Sequence, residues 1–406
     1  LKKIIAIGVV LLWSCTSVSS YAQSYFIKKD SLYKFFQPFA QLQFWTVYTR
    51  NEKQDTNNDG ILEPMDNRVT AMFRRARIGF RGEPYKNLRY QVILFYDQMG
   101  KDDLSGIRGN YNDNAVGIFD AFGQWKMSNK SDFWHLTFGF FRPQISRESI
   151  TSFLSVNSFE KGIDQTYTRL HTIGRNNGRS FGLNLGGMQH KGNFGINYNV
   201  GVFNNYGINN NLGNVGTKWS PVLVGRLAFT LGQPEMKNYA INYETNFYNQ
   251  RKGITIAGAV SQQGKTDSFD NSQAYGLDWL INYGPINLDG EWTWLSRHRN
   301  NQPYKSQSGH IRLGINTIIA KKYFIEPTFM IAHFEGQANN ADVRFFDGED
   351  TVYDMGVNWY LDRRNLKLLL HYTIQDGKGA NNLYTRQNGR AVQKGDYWGL
   401  GLNLIL

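Results

Sequence analysis

The sequence predicts an all-β protein, a sixteen-stranded antiparallel transmembrane β-barrel with one long loop folded into its bore. Three observations lead there. Tight turns alternate with long polar loops from residue 36 to Leu406, as in a barrel with one short-turned and one long-looped rim. Apolar and polar residues alternate with period two in sixteen segments, most of them longer than the ~9–11 residues a tilted membrane strand needs. No stretch beyond the N-terminus approaches the roughly eighteen apolar residues of a membrane-spanning helix.

Residues 1–22 read as a signal peptide, with Lys2 and Lys3 at its charged start, an apolar run over 4–13, and a cleavage site at Ser20-Tyr21-Ala22. Residues 23–35 are assigned to a periplasmic N-terminal segment and 36–406 to the barrel. The only cysteine, Cys15, falls in the signal peptide, so the mature chain is expected to form no intramolecular disulfide. Strands are expected at 36–50, 68–82, 87–98, 115–127, 132–141, 178–188, 192–203, 219–231, 252–262, 271–283, 286–297, 307–319, 322–336, 351–361, 364–376 and 394–406. Turn chemistry or lysines separate them on one side, as at Glu83-Pro84-Tyr85-Lys86, Gly284-Pro285 and Asp362-Arg363. Polar stretches fill 51–67, 99–114, 142–177, 204–218, 298–306, 337–350 and 377–393 on the other. Residues 232–251 hold one more strand-like run, Tyr239 to Glu244. A seventeenth strand would break the even count of bacterial barrels, so this stretch is read as a periplasmic excursion.

The faces follow from parity. In the last segment Trp398, Leu400, Leu402, Leu404 and Leu406 share a face opposite Tyr397, Gly399, Gly401 and Asn403. In 307–319, Ile311, Leu313, Ile315 and Ile319 oppose His310, Arg312, Gly314 and Asn316. A soluble β-sandwich would bury such apolar faces; a barrel turns them to lipid. A mean hydropathy of −0.48 agrees with this, because only alternate residues meet the membrane. The net charge of +12, or +10 without Lys2 and Lys3, forms no continuous basic stripe. That excludes nucleic acid as a partner and leaves an anion-attracting lumen as the use of the charge.

Met72, Ala76, Ile78 and Phe80 form the apolar face of the most basic segment, which places Arg75, Arg77 and Arg81 on the lumen side. Forked guanidiniums suit phosphate-like oxyanions. The same parity turns Arg74 toward lipid, which suggests a subunit interface. Arg226 and Arg312 also have lumen parity, and the 142–177 loop carries Arg142, Arg147, Lys161 and Arg169. Its apolar residues Ile145, Ile150, Phe153, Leu154 and Phe159 argue that it packs inward and narrows the bore. Arg75, Arg77, Arg81, Arg142, Arg147, Arg226 and Arg312 are therefore the candidate anion-binding residues.

The run Phe73 to Gly82, the triplet Asp120-Ala121-Phe122, and Phe138 to Gln144 followed by Glu148 and Leu154 resemble the phosphate-selective porin O/P family. The resemblance implies a sixteen-stranded homotrimeric porin in the outer membrane of a Gram-negative bacterium. Outer-membrane lipid and small anions would be its partners. It also implies an arginine ladder at Arg75, Arg77 and Arg81, and a constriction loop opened by Arg142. The sequence departs from the family pattern with Phe140-Phe141, Gln144 and the terminal Leu406. A plugged structural or partner-binding barrel, and a non-selective porin, are the alternatives.

Two further motifs stand apart. Asp55, Asn57, Asp59 and Asp66, with Gly60 between them, follow calcium-loop spacing and make calcium the one candidate cofactor. Gly178-Arg179-Ser180-Phe181-Gly182 matches a hydrolase nucleophile pattern but opens a period-two segment where a strand-to-helix turn is required, so no enzyme is expected.

Overall fold

The computed structural model describes residues 35–108, 116–204, 217–340, 346–376, 386–387 and 390–406. Residues 1–22, read from the sequence as a signal peptide, and residues 23–34 lie outside them. Among the described residues sixteen wall strands follow in order: β1 Gln37–Arg50, β2 Arg68–Tyr85, β3 Leu88–Phe95, β4 Gly117–Lys126, β5 His135–Phe141, β6 Ser180–Lys191, β7 Phe194–Phe203 and β8 Val222–Gly232. The second half comprises β9 Gly253–Gln263, β10 Asn271–Tyr283, β11 Ile286–Arg299, β12 Gln302–Ile315, β13 Tyr323–Gly336, β14 Gly348–Asp362, β15 Leu366–Asp376 and β16 Asp396–Ile405. A short piece, Thr317–Ile319, continues β12 along β13.

Each strand pairs antiparallel with the next, and β16 returns to β1 over ten residues from Gln41↔Ile405 to Arg50↔Asp396. Closure leaves no sheet edge, so every wall strand has partners on both sides, as a bilayer demands. The register obeys the expected parity: Leu400, Trp398, Ile311 and Ile315 are exposed while Tyr397, Asn403, His310 and Arg312 are buried inside. Along β9 burial alternates without a break. Tyr85, Trp125, Trp134 and Tyr283 are exposed near the short-turn rim, where aromatic side chains suit the membrane interface.

Two features depart from the sequence reading. The stretch 298–306 is no long loop: β11 and β12 join through Asn300 and Asn301 alone, at φ 51° and 63°. A two-residue hairpin with both central residues left-handed favours asparagine. Residues 233–252 leave the wall between β8 and β9, as expected, yet they then turn into the bore. There Tyr239, Ile241 and Tyr243 are buried. Inside they meet the 142–177 loop, which descends from the long-looped rim and carries helices α1 (Arg147–Ile150) and α2 (Asp164–Ile173). Thr151 bridges Tyr243, and Ser152 donates its amide to the Tyr243 carbonyl at 3.3 Å. Gln144 Nε2 reaches the Ile241 carbonyl at 3.2 Å.

The loop is tied to the wall around much of the circumference. Lys367 Nζ on β15 holds the Val156 carbonyl at 2.9 Å, and Asn358 on β14 holds that of Asn157 at 2.6 Å. Phe159 stacks on Trp45, ring centroids 4.2 Å apart. It lies so close to β16 that a Cβ on Gly399 would sit 2.3 Å from its Cζ.

Candidate anion site inside the barrel

Two β-bulges build the site. In β2 the register against β1 shifts between Gln43 and Phe44, leaving Arg74 as an extra residue. In β4 it shifts against β3 so that Phe119 is extra. An extra residue breaks parity and turns two neighbours to the same face. Arg74 and Arg75 therefore both point inward, as do Phe119 and Asp120. This corrects the lipid-facing placement of Arg74 and moves Met72, now 2% exposed, from the outer to the inner face.

Glu160 of the loop receives both bulge arginines, Arg74 at 2.8 Å and Arg75 at 2.6 Å. Their charge holds its carboxyl down at about 2, against the opposing effect of burial. Arg77 pairs with Asp97 at 2.5 Å and lies 3.5 Å from the Phe119 ring centre. Arg179 lies 3.3 Å from the same ring and pairs with Asp120 at 2.7 Å.

Beside this group three loop cations converge on one oxygen. The Ser149 carbonyl accepts from Arg142 Nη1 at 2.5 Å, Arg169 Nη2 at 2.8 Å and Lys161 Nζ at 3.3 Å. Among the described residues none of the three has a carboxylate in salt-bridge range. Arg142 Nε and the neighbouring Arg77 Nη1 are buried without a partner. Arg169 reaches the oxygen because Gly178, at φ +67°, lets it pass: a Cβ there would lie 2.4 Å from Arg169 Cγ. Burial and the surrounding guanidiniums push Lys161 well below the usual lysine range, and burial pulls Arg169 down to about 9.

The remaining sequence candidates lie elsewhere. Arg81 is exposed near the short-turn rim, 5.5 Å from the Phe39 ring. Arg147 is held by Glu235 at 2.8 Å and Asp278 at 2.9 Å, and Arg226 by Asp278 at 2.8 Å. Arg312 spans Glu148 at 2.9 Å and Asp289 at 2.6 Å. The site thus brings together Arg75, Arg77 and Arg142, and leaves Arg81, Arg147, Arg226 and Arg312 outside it. Lys161 and Arg169 were legible as loop cations but not as a cluster. Arg179 was hidden inside the hydrolase-like motif.

That motif is structural: Ser180 is fully buried at the start of β6 and donates its hydroxyl to the Asn204 carbonyl. In the calcium-like loop Asp55 accepts the amides of Asp59 at 3.1 Å and Gly60 at 2.9 Å, and Asn57 donates to Glu63 at 3.0 Å. Among the described residues Asp55, Asp59 and Asp66 do not gather into a three-ligand cluster. Asx-turn chemistry accounts for the loop's shape.

The family model for phosphate-selective porin O and P matches residues 46–395. The chain belongs to that family. It is an outer-membrane porin of a Gram-negative bacterium, a channel rather than an enzyme. Solved structures share its fold at low identity. OprB of Pseudomonas putida superposes with a TM-score of 0.58 at 9% identity, covering 93% of this chain and 96% of that one. OmpF of Salmonella typhi gives 0.54 at 12%, covering 91% and 97%. The anion-selective porin of Comamonas acidovorans gives 0.54 at 13%, covering 91% and 98%. No curated protein sequence matches the porin significantly.

Proposed function

We propose that the porin carries small oxyanions, phosphate-like in charge and size, through a constriction formed by its inward loop. The observation that carries this reading is the convergence of Arg142, Lys161 and Arg169 on the Ser149 carbonyl without a carboxylate. Like charges about 4 Å apart repel by roughly 4 kcal/mol per pair at an effective dielectric near 20. A passing anion relieves that repulsion, and Arg75 and Arg77 extend the basic surface along the wall. Rings of basic side chains favour anion passage. Arg81 serves as a basic residue at the periplasmic mouth. Arg147 and Arg312, saturated by acids, hold the loop in place, and Arg226 braces Asp278 and the Tyr243 hydroxyl of the inserted segment. Outer-membrane lipid surrounds the wall, and the homotrimer implied by the family is the proposed assembly.

Purified porin in planar bilayers should be anion-selective, with chloride current blocked by added phosphate. Replacing Arg142, Lys161 or Arg169 by Ala removes a charge-assisted hydrogen bond worth about 1.5–3 kcal/mol, so half-blocking phosphate should rise about ten- to hundredfold. Cation selectivity, or block untouched by all three substitutions, would end the proposal. The reading also sets a pH trend. A base with a lowered pKa is charged only below it, so anion preference is full at acid pH and declines as pH rises into the range, below that of a free lysine, where Lys161 loses its proton while the guanidiniums keep theirs. Reversal potentials titrated across that range check the sign.

The meeting of 233–252 with the loop favours a second reading, in which the resting bore is plugged and opens only on binding a partner. Absence of conductance from folded, inserted porin would favour it.

A further inference from the structure

Five titratable side chains that the anion path does not use meet where α1 and α2 rest on the wall. Glu148 comes from α1, Asp164 from α2, Asp289 and Glu291 from β11, and His310 from β12; all five are essentially inaccessible. Ligand atoms of Asp164, Glu291 and His310 lie within 4.8 Å of one another, as do those of Glu148, Asp289 and His310. Arg312 closes the second group. The first has no such cation. His310 Nδ1 faces Asp164 Oδ2 at 3.0 Å, and its Nε2 faces Asp289 at 3.4 Å.

Asp164 also lies within hydrogen-bonding reach of Glu291, a contact between two acids. Its Oδ1 is buried with no donor, while the Glu291 oxygens take the Ser146 hydroxyl at 2.6 Å and the Glu148 amide at 2.8 Å. Lys161 and Arg169 act on this group only from a distance. Burying an ionised carboxylate beside another costs several kcal/mol. A positive charge relieves this contact, supplied by a proton on the pair, by the His310 imidazolium that faces Asp164 at 3.0 Å, or by a metal ion.

We infer that Asp164, Glu291 and His310 bind a divalent first-row metal cation that fastens the loop to the wall. Two carboxylates and an imidazole are a donor set suited to zinc or manganese. Asp164 presents an oxygen with no other use. Ser146 and the Glu148 amide orient Glu291 from behind, the role that outer-shell hydrogen bonds play in metal sites. Binding displaces protons from the ligands, so affinity rises with pH. None of the proposed anion-binding cations takes part, so this site stands or falls independently of the conductance reading.

The test uses full-length porin in detergent, stripped with a chelator and titrated with zinc chloride or manganese chloride by calorimetry and metal analysis. One ion per chain and a zinc-dependent rise in unfolding temperature are expected. Asp164→Asn and Glu291→Gln should each weaken binding by about tenfold or more, the scale on which even outer-shell partners count. Asp55→Asn should change nothing. If wild-type porin takes up neither ion, a proton on the pair or the His310 imidazolium relieves the contact and the proposal is wrong. Binding unaffected by both substitutions overturns it too. Should a variant fail to fold, the wild-type stoichiometry still decides.

Discussion

Replacing residues 236–248 by a short turn will raise the single-channel conductance about two- to threefold or more, since a bore of sixteen strands freed of an inserted segment encloses an aqueous channel. The segment is held inside by specific bonds. Tyr239 takes Asp132 through its amide at 2.7 Å, the Thr245 hydroxyl donates to the Ser155 carbonyl at 2.7 Å, and Asn246 joins Asn316 and Tyr360 at 3.1 and 3.2 Å. The loop keeps independent anchors through Glu160, Lys367 and Asn358, so the deletion should widen the path without releasing the loop. An unchanged conductance would mean that ions bypass the segment altogether. Leaving Gln233, Pro234 and Glu235 intact preserves the partner of Arg147.

Asp278→Ala will be the most damaging single substitution in the wall. Its carboxylate receives Arg226 through two bonds of 2.8 Å and Arg147 through one of 2.9 Å, all three groups being buried. Arg147 retains Glu235, but Arg226 keeps only the Tyr243 hydroxyl at 3.2 Å. Breaking a buried ion pair from one side costs about 3–5 kcal/mol, because the surviving charge is left in a dry site. The urea midpoint of unfolding measures the loss. Arg226→Met combined with Asp278→Leu should recover most of it, since apolar replacement of both partners is often near neutral. A single-variant loss below about 1 kcal/mol would place water in this part of the bore.

Both expectations rest on features that period-two reading could not supply. Parity placed Arg75, Arg77 and Arg81 on the lumen side; the first two are buried in the bore, because in β2 they lie beyond the bulge, while Arg81 is exposed at the rim. It failed at Arg74 and Met72, where one inserted residue reverses the count and leaves no mark in composition. It failed also at Asn300-Asn301, where two left-handed asparagines close a tight hairpin inside a polar stretch. The acid partners of Arg147, Arg226 and Arg312 come from residues more than twenty positions away in sequence, and nothing local announces them.

The sequence by itself determined the barrel, its strand number, its lipid-facing surface and the basic character of its lumen, because a bilayer imposes a local rule on every second residue of each strand. Tertiary structure alone decided which cations stay unpaired. Three gather at the Ser149 carbonyl while Arg147, Arg226 and Arg312 are neutralised, since the charge at any point in a closed bore depends on which distant side chains the fold brings across it.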